Sequence, residues 1–506
     1  MRVILTTLLL LALLPVLLRP THFIHDDSYF YLQIASHIAA GHGSTFHEIT
    51  PTNGYHPFWM ACVVPVMALT GGDKAMGLYL VVILQLLLVA ATLVLFKRLA
   101  DEISLDFWQP GLVVLAAYLL GTAVYGSEAH LNALTLVAAT LSLWRSMSSQ
   151  RDRSWLWTGI LFGAAILARL DNVFVAGALL GFGLVHDRPR DLARLVRRTA
   201  FAGLGGAAVV APYLVHNVLS YGHIMPISGA IKSVFPAVTF DIARLGSMGS
   251  LAAPFGLVCL AIGLVFDADR RRRVLWLGLG GGVVLHALYV VAATDHYTFW
   301  PWYYVSGVLA ASLAASYLTG WIAGRIRPLL GETAVRRLVL IAACVLLAGG
   351  STRAWLKAFG PLQVEPLAVN VRINEYRWAE EFALWMKANL PRGSIVYAQD
   401  WPGAIAWYSD LTILPMDGLV NDFQYDEDLR VQGVERYLCS RGVDFFLGLV
   451  DGPGPHRLRV FAPLSRQPAG VLTLRPEDLV VEAQAVLKRP EEALPFAIWR
   501  VRCTAS

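Results

Sequence analysis

Two adjacent carboxylates, Asp26 and Asp27, stand just beyond the first apolar run of a 506-residue chain. Paired acids can divide labour, one deprotonating a hydroxyl while the other orients groups or binds a metal. The same segment, 21–56, runs on to Thr52-Asn53-Gly54-Tyr55-His56-Pro57. Further polar residues interrupt otherwise apolar sequence: Glu128, Arg169 with Asp171, Asn217, Lys232 and Asp295-His296. Ionisable groups at membrane depth are expensive and by default mark a functional site. Each has a plainer reading. The acids suit a solvated helix start, Arg169 and Asp171 can pair with each other, and Lys232 can be a surface lysine. Six histidines between 22 and 56 follow no defined ligand spacing.

Composition sets the frame for these residues. Hydrophobic side chains make up 56% of the chain and charged ones only 15%, outside the range of soluble globular domains. Five cysteines exclude a disulfide scaffold. The net charge of +5 is no argument for nucleic acid, because it is unevenly divided. Residues 1–350 hold 24 Lys and Arg against 17 acids, and residues 351–506 hold 17 against 19. The expected fold is therefore a polytopic α-helical membrane protein over 1–350, followed by a soluble, mildly acidic domain over 351–506.

Apolar runs of about 20 residues place the spans at 3–20, 76–96, 110–126, 129–146, 196–216, 250–266, 273–293, 301–322 and 338–350. The first reads as a retained signal anchor, since no small-residue cleavage site follows it. Charge decides two further segments. If 57–70 stays in the interface and 155–185 is two short spans broken at Arg169, then 19 of the 24 basic residues face one side. Cytoplasmic loops are enriched in Lys and Arg, so eleven spans result, with the N-terminus inside and the tail outside. The polar residues above then gather at the outer side. Residues 28–40 form an amphipathic helix along the membrane surface, ended by Gly41 and Gly43. In the tail, a helix over 375–390 and short strands at 394–398, 411–414 and 444–448 suggest an α/β domain with a partly parallel sheet. The Gly/Pro-rich 451–455 reads as a loop.

The acid pair, Tyr29-x-Tyr31, Gly41-x-Gly43-x-x-Phe46 and Thr52 to Pro57 together resemble bacterial GT-C glycosyltransferases, polytopic enzymes that use polyprenyl-phosphate sugars. Gly126-Ser127-Glu128-Ala129, Ala168-Arg169-Leu170-Asp171-Asn172, Asn217 with Tyr221-Gly222, Pro226 to Lys232, and 400–420 ending Asp417-Gly418-Leu419 match in order. The resemblance implies an inverting transfer to an extracytoplasmic cell-envelope glycan, glycolipid or protein. It implies Asp26 as general base, with Asp27 positioning the acceptor or a divalent cation. Arg169 and Lys232 would bind the donor phosphate through charge-assisted hydrogen bonds. Glu128, Asn217, His56, Asn53 and Tyr55 would hold sugar or acceptor groups. No other cofactor is called for.

A lipid-linked sugar flippase or secondary transporter is the alternative, though such proteins place substrate groups near the midplane, often between internal repeats. An O-antigen-type ligase would favour a large late outer loop. Cys62, Cys259 and Cys344 are expected as buried thiols, and Cys439 with Cys503 as a disulfide in an oxidising compartment. The topology makes a direct prediction. Tags at Arg151, Arg190 and Arg271 report the cytoplasm, and tags at Gly43, Ser233 and Gly454 report the outside; an outside signal at Arg190 would overturn the two short spans.

Overall fold

The computed structural model describes residues 2–186, 192–295, 300–359, 375–449, 456–486 and 493–503. His296, Arg188 and Arg190 of the basic loop, and the 451–455 loop lie outside them.

Helices form wherever the sequence predicts spans. They are α1 (Arg2–Leu18), then α2 (Asp26–Ala39) and α3 (Pro57–Leu69) of the first loop region, followed by α4 (Lys74–Glu102), α5 (Gln109–Ala117), α6 (Ala129–Ser148), α7 (Ser154–Ala168), α8 (Val173–His186) and α9 (Leu192–Tyr221). The short α10 (Ile227–Lys232) precedes α11 (Gly246–Ala261), α12 (Arg270–Ala293), α13 (Val305–Leu330) and α14 (Glu332–Phe359). Among the described residues, five helices are long and apolar enough to cross a membrane: α4, α9, α12, α14, and α13 with the turn before it. Six shorter apolar helices accompany them. Segment 155–185 is broken, as its charges require, by a single turn at Leu170–Asn172. α3 has 13 residues, about 20 Å at 1.5 Å per residue, and α7 and α8 are little longer at 15 and 14 residues. α6 is the most enclosed of these helices, with 15 of its 20 residues buried.

One expectation is corrected. α2 forms where predicted and ends at Gly41 and Gly43, both at positive φ. Its polar face is not open to water, because Asp26 and Ser28 to Ala35 are all buried. The C-terminal domain covers the face that sequence polarity assigned to water, and the polar tips find partners. The Tyr29 hydroxyl meets that of Tyr408 at 2.9 Å, and Tyr31 donates to Glu128 at 3.0 Å.

The tail contains α15 (Glu375–Asn389), β1 (Ile395–Ala398), α16 (Pro402–Ser409), β2 (Thr412–Pro415), α17 (Gln424–Gln432), α18 (Val434–Ser440) and β3 (Phe445–Leu449). β4 (His456–Phe461), β5 (Pro468–Leu474), β6 (Leu479–Val486) and β7 (Ala493–Arg500) follow. The sheet order is β2-β1-β3-β7-β6, with β1 parallel to β2 and β3 and the other pairings antiparallel. β4 and β5 make a separate hairpin. The loops after β1 and β2, at the C-terminal ends of parallel strands, face the helical half.

Cys439 and Cys503 are bonded, with Cα atoms 5.5 Å apart. Cys259 is a buried thiol as expected, whereas Cys62 and Cys344 are only partly buried. The disulfide closes a loop of 64 residues, so Cys439→Ser is expected to destabilise the domain by about 2–4 kcal/mol. Denaturant unfolding followed in that domain measures this, and an unchanged midpoint would contradict it.

Candidate active site

Local sequence explains how the first loop holds its shape. Asp26 and Asp27 occupy the first turn of α2, where acids are electrostatically favoured, and His25 caps that helix by accepting from the Asp27 amide. Pro57 opens α3 at a position that needs no N–H donor. Between them the loop closes on itself. The Ser44 hydroxyl donates to the Thr52 carbonyl at 2.7 Å and meets the Tyr55 hydroxyl at 2.8 Å. Asn53 and Asn217, expected to hold sugar groups, are spent on structure. Asn53 Nδ2 donates to Asn217 Oδ1, Asn53 Oδ1 accepts from the Ile227 amide, and Asn217 Nδ2 donates to the Ile224 carbonyl.

A cleft of about 510 Å³, including its open mouth, gathers Asp27, Tyr55, His56, Glu128, Arg169 and Lys232, with Tyr31, Trp302, Tyr303 and Leu419 completing the wall. Arg169 is 3% exposed. Its guanidinium bonds Glu128, bonds Asp171 at 2.9 Å, and lies 4.0 Å over the Tyr303 ring. Asp171 in turn meets His286 at 3.3 Å. Glu128 also has His56 at 3.7 Å. Arg169 is thus answered by two carboxylates. Lys232 is not: its Nζ donates to the Tyr303 hydroxyl at 2.5 Å, and it forms no ion pair among the described residues. Burial works against its charge, but Tyr303 and Asp27 outweigh this and hold its pKa above that of a free lysine. Burial pushes His56 down to about 4, leaving it neutral near pH 7.

Asp26 lies apart from the cleft. It is 7% exposed, and its carboxylate accepts the Ala404 amide at 2.7 Å and the Gly403 amide at 3.3 Å. Burial raises its pKa, with Asp27 and Asp400 adding to the rise and the two amides opposing it. The C-terminal domain makes a second contact at Gly54, where a Cβ would sit 2.0 Å from the Leu419 carbonyl oxygen. The Thr52 hydroxyl donates to the Asn421 carbonyl at 3.0 Å, fixing the same junction. Asp417, beside Leu419, is raised by desolvation and then by Asp27 and Asp400.

At the level of sequence, no protein-family model and no curated protein matches the chain. Solved structures do. ArnT from Cupriavidus metallidurans bound to undecaprenyl phosphate aligns over 98% of this chain and 97% of its own, with 13% identity and a TM-score of 0.54. The apo state of the same protein aligns over 93% and 96%, with 11% identity and a TM-score of 0.53. The chain has a GT-C-like fold. The Archaeoglobus fulgidus oligosaccharyltransferase tethered with an acceptor peptide aligns over 88% of this chain and 69% of its own, at 11% identity and a TM-score of 0.47.

Within this GT-C-like fold, no group of three or more His, Cys, Asp or Glu side chains among the described residues could hold a metal ion. Asp26, half of the pair considered for a cation, is already engaged by backbone amides. Sequence reasoning did not bring His286 or Tyr303 into the site. A lone histidine inside the apolar run 273–293 was the available signal for the first. The network yields a prediction: Glu128→Ala removes one of the two carboxylates that answer Arg169 and leaves the Tyr31 hydroxyl without its acceptor, and is expected to destabilise the protein by about 1–3 kcal/mol. Thermal unfolding in detergent measures it, and wild-type stability would mean that Arg169 does not depend on Glu128.

Proposed function

We propose that this chain is an integral-membrane glycosyltransferase that moves a sugar from a polyprenyl-phosphate donor to an extracytoplasmic acceptor, with inversion. Asp27 is the general base and Lys232 the group that meets the donor phosphate. The observation that carries this reading is one cleft holding a carboxylate with access to its interior and a lysine without an ionic partner among the described residues. The GT-C-like fold supports the reaction class, and the undecaprenyl phosphate bound to the ArnT neighbour supports the donor class. The disulfide supports an oxidising compartment for the tail, in agreement with the basic residues assigned to the opposite side.

In this mechanism Asp27 takes the proton of the acceptor hydroxyl as its oxygen attacks the anomeric carbon. The bond from that carbon to the phosphate oxygen breaks, and polyprenyl phosphate leaves on the opposite face. Lys232 stabilises the leaving phosphate by a charge-assisted hydrogen bond. Arg169, with two carboxylates beside it, serves chiefly to order the wall, and neutral His56 offers hydrogen bonds without charge.

The test is transfer by purified protein in detergent, with a panel of polyprenyl-phosphate sugars and envelope acceptors. Asp27→Asn is expected to lower turnover about 10²–10⁴-fold with donor affinity nearly unchanged. Lys232→Ala is expected to weaken both undecaprenyl phosphate binding and turnover. Wild-type rates in Asp27→Asn would remove the general base and this mechanism with it.

A further inference from the structure

Asp26 and Asp27 are neighbours in sequence, yet their carboxylates look in different directions. α16 begins with Pro402, which has no N–H, so its first free donors are the amides of Gly403 and Ala404. Its own N-cap residue, Trp401, makes no side-chain cap hydrogen bond to the helix's amides. The missing cap arrives from 377 residues away in the chain, as the Asp26 carboxylate. The approach is close: a Cβ on Gly403 would lie 2.4 Å from the Asp26 carbonyl oxygen. Trp401 enters the helix at φ 55°, left-handed for a bulky side chain, a conformation that persists only where surroundings over-determine it. Those surroundings are Asp400, which accepts the Trp401 amide at 3.0 Å, and His25, whose ring lies 6.1 Å from the indole. His25 is itself the cap of α2 and accepts from the Asp27 amide. The starts of α2 and α16 therefore share one interlocked junction, and Asp27 is the next residue along it.

We propose that Asp26 is a positioning residue, a helix cap supplied across domains that latches α16 to the first loop so that docking of the C-terminal domain holds Asp27 at the cleft. This rests on the reading of Asp27 as general base. Cap and base differ in what they need from the side chain. A cap needs an acceptor oxygen, and asparagine caps about as well as aspartate while alanine does not. A base needs a carboxylate, and asparagine abolishes it.

The experiment uses the full-length protein in detergent, with three readouts: amide hydrogen exchange over 402–409, undecaprenyl phosphate affinity, and turnover on whichever polyprenyl-phosphate sugar supports transfer. Asp26→Ala is expected to speed exchange over 402–409 about tenfold or more and to lower turnover by a similar factor, with undecaprenyl phosphate affinity within about threefold of wild type. Asp26→Asn is expected to restore slow exchange and most of the turnover. Gly403→Ala, made on the other side of the junction, is expected to reproduce Asp26→Ala, and the double variant to be no worse than either alone. If Asp26→Ala does not fold, Asp26→Asn and Gly403→Ala decide the matter. Asp26→Asn as inactive as Asp27→Asn, or exchange over 402–409 unchanged in Gly403→Ala, would overturn the latch. Faster exchange in Gly403→Ala together with wild-type turnover in Asp27→Asn would sink the base assignment and leave the latch standing.

Discussion

A guanidinium buried among packed helices must be neutralised, and much of the architecture around the cleft follows from how Arg169 meets that requirement. Its two carboxylates come from different places: Glu128 from the start of α6, and Asp171 from the turn that separates α7 and α8. Asp171 reaches on to His286 in α12, and Glu128 to Tyr31 in α2 and His56 at the start of α3. Tyr303, ahead of α13, covers the guanidinium face. One charge thereby ties together the elements that form the wall. Such a network gives each charged member more than one partner, so a change at one is felt at several. It also explains why segment 155–185 cannot be one continuous helix. The arginine is C-terminal to α7 and extended in backbone, which lets its side chain turn inward toward both acids.

The second constraint is that the cleft is not completed by the helical half alone. The loops after β1 and β2 meet the two ends of the first loop. The first leads into α16, whose Gly403 and Ala404 amides meet Asp26; the second contributes the Leu419 carbonyl against Gly54 and the Asn421 carbonyl to Thr52. A further strut lies outside the cleft, where Lys74 at the start of α4 bonds Asp410 at 2.7 Å and the Trp407 carbonyl at 2.9 Å. These contacts bury α2, and burial converts a helix that would otherwise float in the interface into a fixed support for Asp27.

Sequence made some of this legible and left some of it hidden, for reasons that lie in distance along the chain. Apolar runs located the helices because a helix that meets lipid must carry its own hydrophobic surface. The break at Arg169 was legible because basic loops keep to one side. β1 to β3 were legible as short β-rich runs between helical ones, while β4 to β7 form antiparallel pairs whose weaker patterns escaped notice. The membership of Asp27, Tyr55, His56, Glu128, Arg169 and Lys232 in one cleft followed from orientation together with short motifs. What stayed hidden was how each polar group is satisfied. Nothing near Asp26 announces Gly403, and nothing near Arg169 announces Glu128, although its pairing with Asp171 two residues on was legible. The same applies to Asn53 and Asn217, which look like ligand groups until each is seen to be the other's partner.

Which groups already have partners decides what each can do in the proposed chemistry. A sugar joined to polyprenyl phosphate is a phosphodiester with one negative charge, and the polyprenyl phosphate that leaves is a monoester with a second charge developing. At the same time the base gains a proton and loses its own charge. The cleft as a whole therefore keeps its net charge during transfer, while negative charge moves away from the carboxylate and toward the phosphate. A preorganised cation accelerates such a step only if it interacts more strongly with the product-like distribution than with the initial one. Arg169 is poorly suited to that, because Glu128 and Asp171 already answer it in every state. Lys232 is well suited. In the resting cleft it is held by a phenol and feels Asp27 at a distance, and protonation of Asp27 would release that attraction just as the phosphate acquires the charge that Lys232 can answer.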